Sequence, residues 1–186
     1  MPIVQEITSS IYGAWRLALR DADGMRWFNL SVEGFWRSFI AALLILPFAL
    51  LLAQVPVAGQ GEDVGRGFSM IIGLYFVEWV GRAVLLLGLC AVLGRTNRYA
   101  SVVIVWNWVA IPEFGLFAAA TILSFLIAPM APFFFVIALG VMFAIDYFIT
   151  RTALEVGAGP AFGIVVVIFL AQLLLGLSTM PTPAPA

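Results

Sequence analysis

Residues 68–93 read FSMIIGLYFVEWVGRAVLLLGLCAVL, a run of 26 residues whose only charges are Glu78 and Arg82. At about 1.5 Å per residue such a helix is ~39 Å long, more than the ~30 Å hydrocarbon core of a bilayer. The stretch therefore reads as a membrane-spanning helix. Its two charges stand four residues apart, one turn along one face, with the carboxylate N-terminal to the cation, so they are expected to pair. Either charge alone in hydrocarbon would be costly, and the pair is expected to face protein.

The rest of the chain has the same character. Hydrophobic residues make up 63% and charged residues 10%, against about 45–50% and about 25% in soluble domains. The nine cations are all Arg, there is no His, and the net charge is −1. Such a balance argues against a nucleic-acid binder, which needs a basic face. A single cysteine, Cys90, excludes a disulfide within the chain. With no His and one Cys, the usual zinc ligand sets and Ser/His or Cys/His catalytic pairs are missing. No enzyme, metal site or cofactor is expected.

Working outward from the central run, spans are expected at Phe39–Val57, Phe68–Leu93, Ala100–Ala128, Phe133–Thr150 and Phe162–Thr179. The breaks between them carry turn residues, at Gly59–Gly67, Gly94–Tyr99, Pro129–Pro132 and Gly157–Pro160. The predicted fold is all-α: a polytopic helical bundle with a cytoplasmic arm at 1–38, a five-span domain at 39–180 and a disordered Pro-rich tail at 181–186. An N-terminus inside puts Arg16, Arg20, Arg26, Arg37, Arg95, Arg98 and Arg151 on the cytoplasmic side and leaves Arg66 outside. That bias sets the orientation under the positive-inside rule.

Residues 3–20 fit an amphipathic helix. Ile3, Val4, Ile7, Ile11, Ala14, Trp15 and Ala18 fall on one side, and Gln5, Glu6, Ser9, Gly13, Arg16 and Arg20 on the other. The pattern suits a helix lying in the membrane interface, or one packed on the protein's own loops. Asp21, Asp23 and Gly24 then form a turn.

The intramembrane polar residues are the candidates for function: Glu78, Arg82, Asn107, Glu113, Asp146 and Arg151. They read either as a proton or solute path through Glu113, Glu78/Arg82 and Asp146, or as a clasp in which Arg82 is neutralised by Glu78 and Glu113 while Asp146 pairs with Arg151 or an interfacial Arg from the loops. Trp106, Asn107 and Trp108 read as a lipid or ligand pocket, or as an interfacial aromatic belt with one interhelical hydrogen bond. Gly73, Gly81 and Gly88 share a face of the second span, and Gly159 and Gly163 are spaced by four, so both sets are expected to admit a neighbouring helix. Pro47 and Pro112 mark expected bends.

The layout resembles the Yip1-like five-span membrane proteins. The likeness rests on the arm, on Phe35-Trp36-Arg37-Ser38-Phe39 leading into a Pro-containing first span, and on Arg95-Thr96-Asn97-Arg98-Tyr99 leading to Trp106-Asn107-Trp108. It implies a non-enzymatic role in membrane organisation, which in eukaryotic relatives means membrane traffic and small GTPases. An Arg-only, Ala/Gly/Val-rich chain reads as that of a GC-rich bacterium, with the inner (plasma) membrane as its home. The readings carried forward are a membrane-embedded interaction or membrane-organising protein, a small transporter or channel subunit, and a lipid-binding membrane protein. The expected partners are membrane lipids and a membrane protein or second copy.

Overall fold

The computed structural model describes residues 2–52 and 68–178. The loop at Gly59–Gly67 with Glu62, Asp63 and Arg66, the expected end of the first span at Val57, and the Pro-rich tail lie outside the described residues. Among the described residues there are seven α-helices: α1 (Ile3–Ala18), α2 (Val32–Ser38), α3 (Ile40–Leu52), α4 (Phe68–Val92), α5 (Tyr99–Leu126), α6 (Ala131–Leu154) and α7 (Ala158–Ser178). No strand occurs among the described residues.

Five segments are long and apolar enough to cross a membrane: Val32–Leu52, Ile71–Val92, Thr96–Leu126, Ala128–Leu154 and Ala158–Ser178. The first starts earlier than the apolar run alone indicates. Ser31 caps α2 by accepting the Gly34 N–H at 3.2 Å, so the helix begins in polar sequence and carries Glu33 and Arg37 as an (i, i+4) pair. It breaks at Phe39 before α3 resumes. At the other end of the bundle Pro132 lies in the first turn of α6, where a missing N–H costs nothing. α6 continues past Thr150 to Leu154, so Arg151 sits within the helix. Pro47 and Pro112 lie inside α3 and α5, and both helices run on through them.

α5 is the hub. It packs against α6 most extensively and also against α1, α2, α3 and α4, while α7 lies against α6 and α4. Every residue from Ser101 to Val109 is buried, so this part of α5 is covered on all sides. The covering layer includes α1.

Three helix ends close in the same way. After α1, Arg20 takes a left-handed conformation (φ 63°), its N–H reaching the Leu17 carbonyl at 2.8 Å and the Asp21 N–H reaching the Arg16 carbonyl at 3.0 Å. Gly94 (φ 66°) after α4 and Glu155 (φ 52°) after α6 make the equivalent turns. The Glu155 carboxylate also holds Arg98 at 2.6 Å and so ties together the two loops at the arm end of the bundle.

α1 packs on the bundle through a face that the two-sided pattern does not mark. The buried residues are Glu6, Ser10, Gly13, Ala14 and Leu17, while Ile3, Val4, Ile11 and Trp15 are exposed. Glu6 is buried because it has partners: Arg37 Nη1 lies 2.7 Å from Oε2, and Asn29 Nδ2 donates to Oε1 at 3.2 Å. Gly13 is buried because the turn at 22–27 folds back across it. A Cβ on Gly13 would stand 2.8 Å from Trp27 Cβ and 2.9 Å from the Gly24 carbonyl oxygen, a crossing that only glycine allows. Tyr12 and Trp27 close the same joint edge to face, with centroids 4.6 Å apart.

Candidate functional site

The polar residues of the spans fall into three groups. The first joins helices in the buried half of α5. Asn107 Nδ2 donates to Ser38 Oγ at 2.8 Å, and Ser38 Oγ donates in turn to the Phe35 carbonyl at 2.7 Å. Trp106 Nε1 donates to Thr150 Oγ1 of α6 at 3.1 Å. Trp108 is 1% exposed. The pocket expected at Trp106, Asn107 and Trp108 is therefore absent: all three are buried in the core, and Asn107 and the Trp106 indole nitrogen are already bonded. They do not form a belt facing lipid either. Thr150 and Ser38, the partners, carry no sequence signal beyond being small hydroxyls in an apolar setting.

The second group surrounds Arg82. No Glu78–Arg82 ion pair forms among the described residues. The Arg82 guanidinium carbon instead lies 4.9 Å from the Trp79 ring centroid and 5.6 Å from that of Trp106. A planar, weakly hydrated guanidinium suits such a place between indoles. Beyond it, the carboxyl groups of Glu113 of α5 and Asp146 of α6 lie close enough to act on one another, with Arg82 within electrostatic reach of both. Glu113 is 7% exposed. Its Oε1 and the Asp146 Oδ1 are buried without a hydrogen-bond partner. The expected Asp146–Arg151 pairing does not occur, because Asp146 points inward to Glu113 while Arg151 is exposed.

The third group is Glu78 with Gln172. Gln172 Nε2 of α7 donates to Glu78 Oε1 at 3.0 Å, which turns the carboxylate toward α7 and away from Arg82. The pair borders a cleft of ≈ 530 Å³ between α4 and α7, lined also by Ile71, Leu74, Tyr75 and Phe117. Tyr75 donates its hydroxyl to the Ala42 carbonyl of α3 at 2.7 Å.

The glycines behave differently from their expected role. A Cβ at Gly73, Gly81, Gly88, Gly159 or Gly163 would meet nothing within 4 Å. Among the described residues none is pressed by a helix. On α4 the reason is the helix phase: Trp79, Ala83, Leu86 and Cys90 form the buried side, and at 100° per residue the glycines lie roughly 155° round from it.

Outside the spans, Asp21 accepts the Arg16 Nε–H at 2.6 Å, and this bond holds its carboxyl below the usual carboxylate range. Among the described residues no group of His, Cys, Asp and Glu is arranged to hold a metal ion. Compared with protein-family models, with curated proteins and with solved structures, the chain matches none. Its five membrane-length apolar helices make it an all-helical integral membrane protein.

Proposed function

We propose that the chain is a non-enzymatic membrane-embedded interaction protein that organises its membrane by docking a helix of a neighbour, a second copy or another membrane protein, on α4. The observation that carries this is the outward glycine face: Gly73, Gly81 and Gly88 have nothing within 4 Å of where a Cβ would lie. In lipid, close approach at small residues is a main source of helix association. A glycine face left open within the chain is a face available to another helix. The layout in which this face sits, a folded arm and five closely spaced spans, is the one that resembles the Yip1-like proteins. The Arg bias supports an arm on the cytoplasmic side, and the composition supports a bacterial plasma membrane.

The test uses cysteine crosslinking in native membranes. The one natural thiol, Cys90, is buried and is replaced first, as Cys90→Ala. Gly81→Cys or Gly88→Cys in that background is expected to crosslink to a second chain, while a cysteine at Val167 on α7 is not. Crosslinking that is equal at all three positions, or absent from all three, overturns the reading.

A further inference from the structure

We propose that Glu113 and Asp146 form a proton-binding site, two carboxyl groups on α5 and α6 that hold one exchangeable proton between them inside the bundle. The inference is independent of helix docking on α4. Two carboxyl groups side by side need a proton or a cation between them, and among the described residues no group of His, Cys, Asp and Glu is arranged to hold a metal ion. Both ionised in a buried setting would repel, and the desolvation of each would go uncompensated. Glu113 is more than nine-tenths buried, and one oxygen of each residue has no donor among the described residues.

The surrounding charges fit one proton. Arg82 on α4 acts on both groups. Glu78, also on α4, is turned to Gln172. On α6, Arg151 is exposed. α3 and α7 carry no titratable side chain, and the α1 and α2 charges Glu6, Arg16, Glu33 and Arg37 are engaged within the arm. With one proton bound, the site and Arg82 sum to zero. Loss of that proton to water leaves the trio at −1 and sets two like charges between α5 and α6, the most extensively packed helices of the bundle, which Trp106 and Thr150 also join. Proton occupancy is thus tied to the fit of the two helices.

Infrared difference spectroscopy of the full chain in lipid nanodiscs, titrated with base in H2O and in D2O, tests this. The expected result is a protonated-carboxyl C=O band that shifts in D2O and disappears with base, and that is lost in both Glu113→Gln and Asp146→Asn. Should either variant fail to fold, the titration of the unaltered protein decides. A missing band overturns the proposal, as does a band that survives both substitutions and is lost in Glu78→Gln. A band abolished at constant pH by sodium chloride but not by choline chloride would identify a metal-cation site and overturn it as well.

Discussion

The two halves of the bundle are built differently. At the arm end α5 is buried all round from Ser101 to Val109, and Ile149, Thr150, Ala153 and Leu154 of α6 and Ile164, Val165 and Ile168 of α7 are buried beside it. At the far end Phe125, Leu126, Phe133, Leu173 and Leu174 are exposed, and α4 and α7 stand apart around the cleft at Glu78. Most of the polar joints lie at the tight end, with Glu78–Gln172 at the cleft the exception. Asn107–Ser38, Trp106–Thr150 and Glu6–Arg37 all belong to the arm end. Lipid tails are as apolar as leucine, so apolar surface alone gives helices in a bilayer little reason to close on one another. They are drawn together where a hydrogen bond or an ion pair fixes them. The difference teaches that polar joints, more than apolar area, set where this bundle is tight.

The largest expected effect tests that contrast directly. Trp108→Ala, at a site 1% exposed, is expected to cost about 3–5 kcal/mol. Leu174→Ala, at a site 66% exposed, should change stability by less than about 0.5 kcal/mol. Thermal unfolding in one detergent compares the two, and equal losses would break the distinction. Next comes Glu6→Ala, which strips a buried partner from Arg37. The expected cost is about 3 kcal/mol, at the low end for a broken buried pair because Glu33 still holds Arg37.

The glycines sharpen the same comparison. Gly13→Ala forces a Cβ against Trp27 and Gly24 and should cost about 1–3 kcal/mol. Gly163→Ala meets open space within a helix and should stabilise the chain by about 0.4–1 kcal/mol. Arg20→Gly, at a left-handed position, should gain about 1 kcal/mol. The smallest effect concerns Asp21. Its carboxyl is held below its ordinary range in the folded arm. The bond to Arg16 therefore contributes above that range and is lost as pH falls through the lowered value. Pepsin nicking of the arm, taken as the ratio of Asp21→Asn to the unaltered chain, should fall toward one as pH drops below about 4.

The spans were legible because a hydrophobic run of membrane length has few other uses, and all five appear. The ends were less so. α2 begins at Val32 because a capped start and an Arg37–Glu33 pair extend the helix into polar sequence, where hydropathy gives no signal. The choice of partner was not legible. Periodicity says which residues of one helix share a face, and correctly places Glu78 and Arg82 one turn apart. It does not say that Gln172 and two indoles will take them separately. The same limit hid the burial of Glu6, whose partners Asn29 and Arg37 lie 23 and 31 residues away. Glu113 and Asp146 could be named from sequence as polar residues in the spans, but their contact depends on the α5–α6 register.

The seat of α1 bears on how the protein is made. Its inner face rests on α5 and α6, yet it leaves the ribosome before either. At ~5–20 residues per second the stretch up to Val109 takes roughly 5–20 s to follow it. For that interval Glu6 can reach Asn29 and Arg37, but the face of α1 that rests on α5 and α6 is uncovered. The first helix is therefore made long before its seat, and it must be kept in a holding state until the third and fourth spans have arrived.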